Sequence, residues 1–334
     1  MRSYAKHIAR RFAQFLLVLF IGINLTYVIT HATPIDPIEQ SIAAVTAFGN
    51  TSPEAIAMMR QSLRELYGLA GGPVEQYINF WRRIATADFG PSLSAFPTPV
   101  SALIARALPW TIGLLLTATL ITWTLGNLLG GLAGYYQNKR SLKALAVIAM
   151  GLHPVPYYIV AFVLLVMFGY VWPLLPIAGG YGMNIEQGFN VTFALSVLTH
   201  SILPALSLML IGLGGWFLGM RSLVSNVVSE DYVVYAELAG VGRRRILGSY
   251  VMRNALMPQV TGLAMSLGAV FNGAIITEQV FGYPGIGSLL VSAVYAGDYG
   301  LVLGVTTISI IGVSTAVLVI DLVYPLLDPR VRVT

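Results

Sequence analysis

"PWTIGLLLTATLITWTLGNLLGGLAGYYQNKRSLK", residues 109–143, has no acidic, basic or histidine side chain before Lys139, and then three cations within five residues. A helix rises 1.5 Å per residue, so roughly 20 apolar residues cross a bilayer core about 30 Å thick. Residues 109–135 exceed that length. The basic turn that follows keeps this end of the span in the cytoplasm, because short loops rich in Lys and Arg resist translocation.

Five other stretches have the same character. Apolar runs at 12–30, 143–171, 196–220, 258–281 and 301–327 join 109–135, and the sequence therefore predicts an all-α integral membrane protein of six spans. Composition agrees: 56% of the 334 residues are hydrophobic and 10% charged, far below the roughly 25% charged residues of an ordinary globular chain. Arg2, Lys6, Arg10 and Arg11 precede the first run. Its length and the lack of a small-residue cleavage pattern predict a retained anchor and not a signal peptide.

The net charge of +5 is unevenly placed. Fourteen of the 19 Lys and Arg lie at the N-terminus, in 139–143, between 221 and 253, and in the terminal "DPRVRVT". Residues 172–195 and 282–300 contain none. This alternation predicts both termini and the 221–257 loop inside the cell, and places 32–108 outside. The distribution speaks for a membrane and against nucleic acid.

Within 32–108 the helix punctuation is clear. Ser52 can cap a helix that opens at Pro53 and Glu54 and stops at Gly68. A second runs from Pro73 towards Asp88 and Gly90, with Val74, Tyr77, Trp81 and Ile84 on one face. A third opens at Pro99 and ends at Leu108 before the next span. Such an insert either touches a soluble partner and helps close an outer gate, or simply packs on the spans. In the membrane, Pro154 and Pro156 interrupt the third run and "LIGLGGWFLG" (210–219) supplies small residues for close helix packing.

Several chemistries are excluded. Lys6, Lys139 and Lys143 are followed by His7, Arg140 and Ala144, so the chain lacks the Lys-Ser/Thr of a P-loop and cannot hydrolyse ATP through one. Histidines at 7, 31, 153 and 200 are too scattered for a zinc hydrolase, there is no cysteine, and no Gly-x-Ser-x-Gly elbow occurs. His153 and His200 suit helix-to-helix hydrogen bonds. Glu278 and Asp321 sit near the ends of their spans, which disfavours a proton- or sodium-coupled carrier. No enzyme, metal or bound cofactor is predicted.

The stretch "EDYVVYAELAGVGRRRILGSYVMRNALMP" (230–258) concentrates charge between two spans. Ser229 suits an N-cap, Glu230 and Asp231 suit the positive end of the helix dipole, Tyr232, Tyr235, Ala236 and Ala239 form an apolar face, and Gly240 ends the helix. Taken alone, this is either a helical finger for a groove in another protein or a loop whose arginines fix topology.

The Ala236-x-x-x-Gly240 pattern, with "RNALMP" (253–258) after it, resembles the coupling loop of ABC importer permeases, and the late Met257-Pro258 pair is similar to the dipeptide/oligopeptide branch. The likeness extends to "DFGPSL" (88–93), "ALPWTIGL" (107–114), "EQVFGYPGIGSLL" (278–290) and "DLVYPLLDPRVR" (321–332). Val234 and Tyr235 depart from the residues usual before the alanine, and Met257 replaces a leucine. The resemblance implies a second permease subunit in a heterodimer, two cytoplasmic ATPase subunits that use ATP and Mg, and an extracytoplasmic solute-binding protein. It implies an ATPase-docking loop of Tyr235, Ala236, Glu237, Gly240, Val241, Arg243, Arg244 and Arg245, and makes Asn272, Glu278 and Tyr283 candidates for the path or outer gate. Di- or oligopeptides are the expected solute. The same permease type also serves oligosaccharide or nickel-complex uptake, and an ATP-independent carrier or channel is the alternative class.

Overall fold

The computed structural model describes residues 2–32, 37–46 and 52–327. Among these the chain is helical, without a β-strand. Fourteen helices follow in order: α1 (Arg2–Ala32), α2 (Pro37–Thr46), α3 (Pro53–Leu66), α4 (Pro73–Thr86), α5 (Val100–Tyr135), α6 (Arg140–Leu152), α7 (Tyr157–Leu165), α8 (Val191–Val228), α9 (Asp231–Leu238), α10 (Arg243–Arg245), α11 (Arg253–Ala269), α12 (Ile275–Val280), α13 (Ile286–Tyr295) and α14 (Tyr299–Leu327).

Four helices contain spans that are long and apolar enough to cross a bilayer: Ile8–Ala32, Val100–Tyr135, Val191–Val228 and Tyr299–Val323. The third apolar run is two helices meeting at 101°, because Pro154 and Pro156 remove backbone donors in one short stretch and Pro156 takes the N-cap of α7. The fifth run is also divided. Helix α11 stops at Ala269, a 3₁₀ turn covers Val270–Asn272, and Gly273 at φ +72° redirects the chain into α12. Each predicted run is thus helical, but two are broken.

The separate helix expected at 99–108 does not exist. Pro99 is the N-cap of α5, which continues through Pro109 to Tyr135, so the insert runs directly into the span. Helices α3 and α4 follow the sequence expectation closely: Ser52 Oγ accepts from the Ala55 N–H at 3.3 Å, and Gly68 adopts φ +69° beyond the end of α3. The inward face of α4 is centred on Phe80, whereas Val74 is 73% exposed. Tyr77 Oη donates to Asn24 Oδ1 at 2.6 Å and Trp81 stacks on Phe20 at 5.9 Å, which fastens α4 along α1.

Helices α5 and α8 form the most extensive pair in the molecule. Gly126, Gly130 and Gly134 stand one turn apart on one face of α5. A Cβ at these positions would strike Trp216, the Phe217 carbonyl, and the Arg221 carbonyl with Val224, respectively. The two backbones therefore approach closely only because this stripe has no side chains. On α8, Gly214 and Gly215 face His153 at the bend after α6. Helix α1 packs against α14, with Gly22 against Ile310 and an Arg11–Asp321 ion pair of 3.2 Å at one end.

Candidate coupling loop and outer turn

Helix α9 projects from the end of α8. Its N-cap is Glu230 and not Ser229, because α8 continues to Val228 and the Ser229 hydroxyl bonds back to the Asn226 carbonyl at 2.8 Å. Gly240, at φ +77°, reverses the chain. The Gly240 N–H donates to the Glu237 carbonyl at 3.0 Å and the Val241 N–H to the Ala236 carbonyl at 3.1 Å. That pair of bonds is a Schellman motif, which satisfies the last carbonyls of the helix.

The finger is apolar on two sides. Val233 and Ala236 are buried against Met220, Val224, Ile246, Val251 and Ala255, and Val241 packs at the margin of this cluster. The face expected from the sequence is therefore rotated: Ala236 anchors the finger to its own spans. Tyr235 and Leu238 point away, 70% and 79% exposed. Glu237, Gly240 and Arg243–Arg245 are also exposed. Two neighbouring apolar side chains in solvent, on a helix whose other face is already packed, form a surface that no other described element covers.

At the opposite end of the spans, Glu278 is fully buried. Its Oε1 accepts from Thr111 Oγ1 at 2.8 Å, its Oε2 from the Ser288 N–H at 2.9 Å, and Thr111 Oγ1 in turn accepts from the Ile286 N–H at 2.8 Å. Ser288 is the third residue of α13, whose N-cap is Gly285. The carboxylate thus caps α13 from outside the helix and ties it to α5. Gly285 leaves room for this carboxylate, since a Cβ there would meet Glu278 unless that side chain shifted. Tyr283 is also buried: its hydroxyl lies 3.0 Å from Ser201 Oγ and its ring meets Trp110 edge-on at 5.6 Å. The side chain of Asn272 lies outside the described residues.

A second buried carboxylate escaped the sequence reading. Asp298 Oδ1 accepts from the Leu301 N–H at 3.0 Å, capping α14, and Oδ2 accepts from Ser92 Oγ at 2.5 Å and from the Ser94 N–H and Oγ at 3.0 Å. It locks the "DFGPSL" loop onto the last span. An aspartate directly before an apolar run is an N-cap signal, and Gly297-Asp298 before Tyr299 carried it.

The family model described as "Binding-protein-dependent transport system inner membrane component" matches residues 126–333, taking in the finger, the outer turn and the last span. The chain belongs to that family. As a permease component it is a membrane subunit and not itself catalytic. It is 28% identical over 332 residues to the oligopeptide transport system permease protein AppB of Bacillus subtilis (strain 168), covering 98% of this chain and 99% of that protein. It is 29% identical over 329 residues to the oligopeptide transport system permease protein OppB of Haemophilus influenzae, covering 98% and 99%. It is 26% identical over 329 residues to the dipeptide transport system permease protein DppB of Bacillus subtilis (strain 168), covering 98% of each. These permeases align from end to end with the present chain, insert included.

Proposed function

We propose that this permease subunit forms half of the translocation path of an ATP-driven importer of di- or oligopeptides. The second half is a related but distinct permease subunit, ATP and Mg are used by two cytoplasmic ATPase subunits, and a solute-binding protein delivers peptide from outside. Both termini and the α9 finger face the cytoplasm of a prokaryote, in its inner membrane, as the placement of Lys and Arg argues.

The observation that carries this reading is the exposed Tyr235–Leu238 pair on a finger fixed by Gly240, in a chain of this family. The finger is seated on the ends of α8 and α11 through Val233 and Ala236, so a push on its tip is delivered to two membrane helices. Nucleotide can rock the spans between inward-open and outward-open states only if the tip is held differently in each. Arg243, Arg244 and Arg245 flank the tip and steer the approach of an acidic surface. The peptide assignment is supported by the names of the full-length relatives.

Reconstitution tests it. Vesicles containing the whole complex should take up peptide only with ATP. Uptake at full rate by this chain alone would reject the reading in favour of an ATP-independent carrier.

A further inference from the structure

Helix α5 meets α11, and the turn before α11, along a seam that contains one unused polar atom. At one end of the seam, Trp123 Nε1 donates to the Gln259 carbonyl at 3.0 Å. About two turns further along α5, Gly131 faces Met252, whose thioether fills the space that a Cβ at 131 would need. These contacts step forwards on α5 and backwards on the other strand of the seam, so the two run antiparallel. Asn127, midway between Trp123 and Gly131, therefore looks onto the turn of Ala255 and Leu256, whose side chains offer it no donor.

Asn127 is 3% exposed. Its Nδ2 donates to the Trp123 carbonyl at 2.7 Å, and because a carbonyl only accepts, the amide cannot be turned over. Oδ1 is the atom left over. It is closed off from solvent and, among the described residues, has no hydrogen-bond partner. A buried acceptor without a donor is unfavourable, and a leucine at 127 would carry no such cost. The asparagine is accounted for by a donor that reaches it in a second arrangement of the seam.

Both ends of α11 are built to yield. The chain enters it through a π-helical stretch, Ile246–Met252, and leaves it through the 3₁₀ turn Val270–Asn272 and Gly273. Stretches of these two kinds interrupt α-helices at hinges and functional sites. Within α11, Pro258 has no N–H to give the Asn254 carbonyl. The finger grips the near end, where Val233 and Ala236 pack with Ile246, Val251 and Ala255. A displaced finger therefore pulls on α11.

Gln259 carries the matching donor. It is 7% exposed, and its Nε2 lies against α8, 3.0 Å from where a Cβ at Gly219 would stand. It is four residues beyond Ala255, about 6 Å along the helix axis. A step of α11 by one turn past α5 brings the Gln259 amide to Asn127, Ala255 to Gly131 and Gly262 to Trp123, so small residues replace Met252 against the glycine. One-turn steps of one packed element past another are an established form of switching. We propose that Asn127 is a positioning residue for transport, whose free Oδ1 accepts from the Gln259 amide in a second register of α11, one turn from the register of this structure. The inference rests on the ATP-driven reading, in which nucleotide moves the finger. A bond made in one register only is the differential interaction that such a shift requires.

The whole complex, reconstituted in vesicles, tests this with two readouts. N127L should keep thermal stability at or above that of wild type, because the unpaired oxygen is gone, yet slow ATP-dependent peptide uptake about two- to tenfold, the worth of one hydrogen bond. Q259L should do the same, and the exchange N127Q with Q259N, which keeps both amides, should recover more uptake than either single variant. For the register itself, the chain has no cysteine, so the pairs G131C with M252C and G131C with A255C can be joined by a short thiol crosslinker. Adding ATP should move the two yields in opposite directions. Yields that ignore ATP, full uptake by N127L, or slow uptake that comes with lost stability would each overturn the positioning role while leaving the ATP-driven reading intact. Wild-type uptake without ATP would instead remove the reading on which it rests.

Discussion

The Val241 N–H donates to the Ala236 carbonyl across 3.1 Å, and this single bond, made possible by Gly240 at φ +77°, sets the direction in which the finger leaves its own helix. A side chain at Gly240 meets no neighbouring atom within 4 Å, so substitution there is a matter of backbone strain and of what is presented to a partner.

Gly240→Ala should therefore cost about 1–2 kcal/mol of local stability, the usual penalty for an L-residue in the left-handed region, and reduce transport partially. Gly240→Arg adds bulk to the same exposed surface. It should abolish peptide uptake and stimulation of ATPase activity while the chain still reaches the membrane in normal amounts. Uptake assays alongside immunoblots of membrane fractions check this, and normal uptake by Gly240→Arg would remove the docking role.

The Glu278–Ser288 bond fastens the outer turn to the start of α13. Glu278→Ala leaves the Thr111 hydroxyl and the Ser288 N–H without acceptors in a buried site, at about 1–3 kcal/mol for each. Glu278→Gln keeps one acceptor and should be milder. Thermal unfolding of the purified complex should rank wild type above Glu278→Gln, and Glu278→Gln above Glu278→Ala. A Glu278→Ala complex as stable as wild type but dead in transport would assign Glu278 to the path instead.

Close approach of α5 and α8 depends on the glycine stripe. Gly130→Leu places a side chain where the Phe217 backbone now lies. Overpacking of this kind costs about 1–3 kcal/mol or more, and here the obstacle is main chain, which cannot turn aside. Sharply reduced yield of folded complex is expected, measured by size-exclusion profile, whereas the same change at Gly113, which has open space around it, should be tolerated.

The Tyr67 hydroxyl, pushed up to about 12 by burial and then by Asp298, compares with about 10 for an unfolded tyrosine. With the folded value raised, its contribution to stability is complete below pH 10 and is lost as pH rises through 12. Limited proteolysis of the insert between those pH values should show it loosening, and Tyr67→Phe should blunt that alkaline step. An identical alkaline profile for Tyr67→Phe would place the effect elsewhere.

Much of this was legible in the chain. Apolar length located the long helices α1, α5, α8 and α14, Ser52 and Gly68 bounded α3, and Pro154 with Pro156 marked a break that proved to be a bend of 101°. What the sequence concealed were relationships across distance. Nothing local to Glu278 reveals that its partner is the N-terminus of α13, or that Asp298 binds serines about 200 positions earlier. The finger was misread by one face because apolar residues lie on both of its sides. Only packing decides that Val233 and Ala236 turn inward and leave Tyr235 and Leu238 outside.

The docking of that tip is open to direct measurement, because the chain has no cysteine of its own and Leu238→Cys would be its single thiol. In the assembled complex a bifunctional thiol reagent should join Leu238→Cys to an ATPase subunit, with a yield that changes when ATP is added. Failure of that crosslink, together with a crosslink to the ATPase from Phe189→Cys on the segment between α7 and α8, would contradict the account.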